Sequence, residues 1–159
     1  MIDTTWNRLN LMIKRGDLNS TERYRLLLSS GCDGLNLPFG CLTQLREQRL
    51  IITHSTQSGW ENAEFDLHQT LCQFTLAQGD LITSTDLSEY DWQQHGITPE
   101  WHLRTYIGTP VKIQDRVYGT LFFASNDARP QEFSKREQAF LQMMVGSFRA
   151  LLQQEAIPR

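Results

Sequence analysis

The chain has 159 residues, 40% of them apolar and 21% charged, which is the size and composition of one globular domain with enough apolar side chains to bury a core. A formal net charge of -3 and the lack of any basic cluster argue against a nucleic-acid surface. No apolar run approaches the roughly 20 residues of a membrane-spanning helix, and MIDTTWNRLN lacks the layout of a secretory signal.

Trp6, Leu9 and Ile13 share one face of a helix expected from Asp3 to Lys14, and Gly16 stops it. A second helix starts at NSTE, where Asn19 and Glu22 have capping-box spacing. It carries Leu26, Leu27 and Leu28 and is expected to fade at the glycines of GCDGLNLP. FGCLTQL and RLIITHST, separated by REQ, read as a hairpin. HQTLCQFTLAQG is a short helix ended by Gly79, and LITS a brief strand. From Thr85 to Arg104 there is no clean period, although Thr98-Pro99 is a good helix start. Ile107, Thr109, Val111 and Ile113 then share one strand face, and Val117, Gly119, Leu121 and Phe123 another. Gln114-Asp115 is the two-residue turn between them. Ser134 and Glu137 form another capping box, opening a last helix with the stripe Phe140, Leu141, Met144, Val145, Phe148, Leu151 and Leu152. Strands clustered between helices imply an α+β layered domain around an antiparallel sheet.

YIGTPVKIQDRVYGTLFFAS, followed by RPQEFSKREQAFLQMM, resembles the C-terminal half of a GAF domain. LHQTLCQFTLAQGDLITSTDL resembles that family's middle helix and short strand, and LNLPFGCLTQL its first strand. The likeness is collinear from about Glu22 to Leu152, and is nearest to GAF domains of bacterial signalling proteins, the sensor inputs of diguanylate cyclases and histidine kinases. Where many relatives have Asp-Gly in the final hairpin turn, this chain has Gln114-Asp115. The resemblance implies a GAF/PAS-like sheet of about six antiparallel strands, with the terminal helices on one face and a lid enclosing a pocket on the other, its wall supplied by Trp60 to Arg104. It divides the chain into an N-terminal helix, residues 1–18, serving as a dimerisation or signalling arm, and a sensor domain, residues 19–159.

The resemblance also implies chemistries to weigh. A related class reduces free methionine sulfoxide with a cysteine on the middle helix, where this chain has Cys72. A thiolate attacks the sulfoxide sulfur and a second thiol resolves the intermediate as a disulfide. No cysteine follows Gln73, and Cys32 and Cys41 fall outside the positions of the family's resolving thiols. The expectation is therefore a packed thiol and no enzyme. Covalent tetrapyrrole attachment needs a cysteine beside a histidine on the lid, yet Cys72 is followed by Gln73. The N-K-x-x-x-F-x-x-x-D-E pattern associated with cyclic-nucleotide binding is absent. His54, His68, His95 and His102 have no metal-ligand spacing, so no metal is expected.

Tyr90, Trp92, Trp101 and Tyr106 have the amphipathic rings that line small-molecule pockets, or else they fill the lid's own core. Asp86 and Arg104 could hold a ligand's charge or stand solvated at the surface. Together with Cys72 and His102 these are the candidate ligand-binding residues. Three cysteines, Cys32, Cys41 and Cys72, without C-x-x-C spacing fit a reducing cytoplasm rather than a disulfide framework or a zinc site. The width of the terminal stripes suggests a homodimer built on a helix bundle. The expectation is a cytoplasmic, non-enzymatic sensor that binds an unidentified small molecule. It would act through its terminal helices on an effector domain or partner protein, with no nucleic acid or membrane as partner. The alternatives are the Cys72 reductase and a ligand-free dimerisation module.

Overall fold

A computed structural model describes residues 18–88 and 103–156. The helix expected from Asp3 to Lys14, and with it the arm of residues 1–18 up to residue 17, lies outside the described residues. The elements run α1 (Ser20–Leu35), β1 (Phe39–Arg46), β2 (Arg49–Ser55), β3 (Glu64–Asp66), a 3-10 turn (Leu67–Gln69), α2 (Cys72–Gln78), β4 (Ile82–Ser84), β5 (Thr105–Ile113), β6 (Arg116–Ser125) and α3 (Lys135–Ala156).

One six-stranded antiparallel sheet in the order β3-β2-β1-β6-β5-β4 organises these elements. Side chains alternate across a strand, and β6 shows the consequence. Leu121 and Phe123 face α1 and α3 in a core with Leu42, Ile107, Val111, Leu27, Leu28, Phe140 and Phe148. Phe122 and Ala124 face the other way, into a second core with Cys41, Leu50, Ile52, Tyr106 and the start of α2. The layering is therefore the expected one, with α1 and α3 on one face and the α2 region on the other.

Both capping boxes form. Asn19 Oδ1 accepts from Glu22 N at 2.8 Å, and Ser134 Oγ accepts from Glu137 N at 3.0 Å, so each helix has an orphan N–H satisfied where its sequence signal stood. Gln114 and Asp115 both have positive φ, 53° and 64°, as a two-residue hairpin turn of this hand requires.

Three details differ from the sequence reading. First, α1 does not fade at its glycines. It runs through Gly31 and Gly34 to Leu35 and closes at Asn36, φ 56°. A Cβ at Gly31 would collide with the Phe123 ring and the Met144 methyl, and one at Gly34 with Phe140. Close packing, not termination, is what these glycines serve. Second, Val117 leaves the face assigned to it and is 42% exposed. The register steps between Val111 and Lys112, opposite Gly119 and Val117, so Tyr118 is the extra residue of a bulge, and Tyr118 packs on the helix-side core instead. Third, β3 had no sequence signal of its own, because three residues are too few to show a period of two.

The α3 stripe is consumed within one chain. Phe140, Leu141, Met144, Val145, Phe148, Leu151 and Leu152 are all at most 7% exposed, so the width of that stripe no longer requires a second copy. Among the described residues, no helix is long and apolar enough to cross a membrane.

Candidate functional site

The two faces of the sheet differ in chemistry. Toward α1 and α3 the central strands present mainly hydrocarbon, whereas toward α2 they also present hydroxyls and thiols, and α2 adds more.

Local sequence explains how α2 is set in place. The Asp66 carboxylate accepts from His68 N at 2.9 Å and starts the 3-10 turn. The Gln73 side-chain amide donates back to His68 O and Thr70 O, at 2.7 and 2.9 Å. Gly79, φ 73°, ends the helix by donating its N–H to Thr75 O. Cys72 and Thr75, three positions apart, thus lie on one helix side and both are buried on the sheet.

Beneath them the side chains form a buried polar chain. Cys72 Sγ is 3.2 Å from Thr120 Oγ1, which is 2.7 Å from Thr43 Oγ1. Thr43 Oγ1 also accepts from Thr120 N at 3.0 Å. Thr75 Oγ1 and Tyr106 OH pair at 2.9 Å, and the Tyr106 hydroxyl donates to Cys72 Sγ at 3.8 Å. The Tyr106 ring lies over Gly108, where a Cβ would collide with it, and stacks on Phe122 with centroids 5.4 Å apart. Cys41, in the same core, has its Sγ 3.3 Å from Ser55 Oγ.

Electrostatics keep this face uncharged. Burial pushes the Cys72 thiol up to about 11, against hydrogen bonds from Thr120 and Tyr106 that work the other way. It pushes Cys41 up to about 12 and raises the Tyr106 phenol well above its ordinary range. An unpaired charge there would lose its hydration. Cys72 is accordingly a protonated thiol near neutral pH, whereas nucleophilic cysteines have depressed values.

Of the other candidates, Asp86 and Arg104 meet each other. Arg104 Nε and Nη2 donate to the two Asp86 carboxylate oxygens at 3.2 and 3.1 Å, a bidentate fork. The Arg104 hydrogen bond, helped by Ser88 N–H, holds the Asp86 carboxyl well below the usual carboxylate range. Leu87 N also donates to Arg104 O at 2.8 Å. The pair is solvent-exposed and ties the chain after β4 to the start of β5, so each charge is already answered. Tyr90, Trp92, Trp101 and His102 lie outside the described residues.

The residues that sequence reasoning missed are Thr43, Thr75 and Thr120, and it set Cys41 aside. Thr75 was within reach, being three positions from Cys72 on a segment already read as helical. Thr43 and Thr120 could be joined only by knowing that β1 and β6 are neighbours.

Elsewhere, the open grooves formed by the described residues include two of about 390 Å³ each. One runs beside Pro38, Ser125, Asp127 and Arg129, the other between Arg25 and residues 55–59. Neither is on the α2 face. Among the described residues, no group of three or more His, Cys, Asp or Glu side chains could hold a metal ion.

A family model described as GAF domain matches residues 20–149. The GAF domain of an Acinetobacter phosphoenolpyruvate-protein phosphotransferase superposes with a TM-score of 0.78 at 15% identity, covering 97% of this chain and 94% of that one. A free methionine-R-sulfoxide reductase from Neisseria meningitidis, in complex with its substrate, superposes with a TM-score of 0.75 at 10% identity, over 98% and 92%. A phycocyanobilin-bound GAF domain from a cyanobacterial phytochrome gives 0.70 at 12%, over 97% and 94%. At these identities the likeness concerns the fold. No curated protein matches the chain in sequence.

Proposed function

The chain belongs to the GAF domain family, and from that premise we propose that it is a cytoplasmic sensory domain binding a neutral, hydrogen-bonding small molecule on the α2 face of its sheet. The observation that carries this reading is the polar chain through Cys72, Thr75, Thr120 and Tyr106, set where only shape and not charge is otherwise needed. Buried polar groups cost free energy unless satisfied, so a sheet face that needed only packing would be cheaper in hydrocarbon. A ligand offering its own donors and acceptors would exchange partners with these hydroxyls and shift α2.

Because Phe122 and Phe123 point into opposite layers, a displacement of β6 is felt by α1 and α3. The ligand biases those helices only as far as its affinity differs between their arrangements. An effector domain or partner protein would read the difference. A homodimer belongs to the same reading. With the buried stripe of α3 consumed, its contact would use the outer line of Ala139, Met143, Gly146 and Ala150, which is exposed and uncharged.

Native mass spectrometry of the purified protein, set against the denatured sample, tests both points. A non-covalent mass that is lost in Thr75→Val and Tyr106→Phe supports the sensor, with affinity expected to fall about 5- to 10-fold per hydroxyl removed. A bare monomer that binds nothing from a metabolite mixture sinks the reading.

The reductase is the second reading, kept because Cys72 stands on the helix that such enzymes use and because a sulfoxide reductase shares the fold. Against it stands the protonated, fully packed thiol. Activity on methionine sulfoxide that vanishes in Cys72→Ser would establish it. The same burial, with Gln73 following, weighs against bilin attachment at Cys72.

A further inference from the structure

On the helix side of the sheet a half-buried imidazole, that of His54, stands at the end of an aromatic stack. His54 stands on β2 opposite Leu42, and Leu42 belongs to the core under α1 and α3. The His54 ring stacks on Tyr24 of α1, with centroids 4.1 Å apart and planes 23° from parallel. Tyr24 stacks in turn on Phe148 of α3 at 6.1 Å. A strand and both long helices therefore meet through three consecutive rings. His54 Nδ1 is 3.1 Å from Thr53 Oγ1.

Charged groups from α1, the β2–β3 connection and α3 act on this stack. From α1 comes Arg25 and from the β2–β3 connection Glu61, which pair at 3.7 Å. From the last turn of α3 comes Glu155, whose charge is also felt by Tyr24 and by Tyr118 of β6. Glu155 approaches the buried Tyr24 hydroxyl without completing a hydrogen bond. Burial holds the imidazole below its ordinary pKa, with Arg25 adding to that effect and Glu155 and Glu61 opposing it. Cation–π attraction to Tyr24 would favour the proton. Desolvation of the half-buried ring, stacked on Tyr24 of α1, works against the proton.

We propose that the His54–Tyr24–Phe148 stack is a pH-sensitive joint of the helix layer. While His54 is neutral the stack clamps α1 and the C-terminal half of α3 to β2. A proton on the imidazole recruits water and the Glu61 and Glu155 carboxylates, and loosens that clamp. The joint would give the domain a second input, acidification, delivered to its output helices from the face opposite α2. It does not depend on a ligand being held there.

The sign follows from linkage. A histidine whose folded-state pKa lies below its unfolded value of about 6.5 leaves the folded state with fewer protons. Its stabilising contribution is complete above that pH and declines as pH falls toward the folded-state value.

The test is an NMR titration of the 159-residue protein with labelled histidine, together with thermal unfolding of wild type and His54→Phe between pH 7.5 and 5. The expected result is a His54 midpoint below about 6.5, backbone shifts in α1 and α3 that follow the same midpoint, and an acid-side loss of Tm that is reduced in His54→Phe, which keeps a ring and cannot titrate. A His54 midpoint at or above that of a free imidazole overturns the proposal. So does an acid dependence identical in the two proteins. Should His54→Phe fail to fold, the wild-type titration alone decides.

Discussion

Cys72 and Cys41 illustrate how one property of a residue can close one function and leave another open. Their burial and hydrogen bonds to Thr120 and Ser55 make them small polar packing groups, and the same burial raises their pKa values to about 11 and 12. Cys32, partly exposed, is also raised to about 11. Unfolded cysteines titrate near 8.5, so between that pH and 11 the unfolded chain releases protons that the folded chain keeps. Folding stability is therefore complete below about pH 8.5 and declines as pH rises above it. Urea midpoints measured between pH 7.5 and 10 should fall, and should fall less steeply in Cys72→Ala. At pH 8, iodoacetamide should label Cys32 first and reach Cys41 and Cys72 only after unfolding, as peptide mass spectrometry would read. Rapid labelling of Cys72 in the native protein would refute the protonated, packed thiol and revive the reductase.

Helix α1 shows at the scale of an element where sequence legibility ends. Caps are local signals, and Asn19, Glu22, Ser134 and Glu137 could be read because each box lies within four residues. The Gln114-Asp115 turn and the stripe of α3 were legible for the same reason. Gly31 and Gly34 carry the local signature of a helix end, yet their role is set by Phe123, Met144 and Phe140, residues roughly ninety to a hundred and ten positions away. The polar chain on the other face was half legible: Tyr106 stands out by its amphipathic ring and Cys72 by its place in the family resemblance, but Thr43 and Thr120 join them only through the β1–β6 pairing. Gly31→Ala separates the two kinds of information. Helix propensity alone favours the alanine by about 1 kcal/mol. The collision with a ring that is fully buried costs more, since overpacking runs at about 1–3 kcal/mol. The expected outcome is a net loss of stability, read as a lower denaturant midpoint at unchanged m-value. A gain would mean that α1 can slide away from the sheet.

For the molecule as a whole, the question is what holds the end of α1 to the start of α3 where no sheet intervenes. Arg129 does this. Its Nη2 donates to both Glu137 oxygens at 2.7 and 2.8 Å, its Nε to Gln131 O at 2.8 Å, and its Nη1 to Leu35 O, in the last turn of α1, at 3.4 Å. The guanidinium also lies 4.1 Å from the centroid of the Phe133 ring. Burial raises the Glu137 pKa, but the hydrogen bonds from Arg129 and Ser134 outweigh it and leave the carboxyl below its usual value. The pair is only 19% and 16% exposed, so removing one partner strands the other in a poorly solvated site. Arg129→Ala should cost about 2 kcal/mol, and Glu137→Gln somewhat less, because the amide can still accept from Arg129. Since the Glu137 pKa is depressed in the folded state, the wild type should lose this contribution as pH falls below about 4.3, and Arg129→Ala should lose less over the same range. A double-mutant cycle between the two positions isolates the coupling. A coupling energy near zero would mean that α1 and α3 are joined only through their shared core, and that movement of one need not reach the other through this corner.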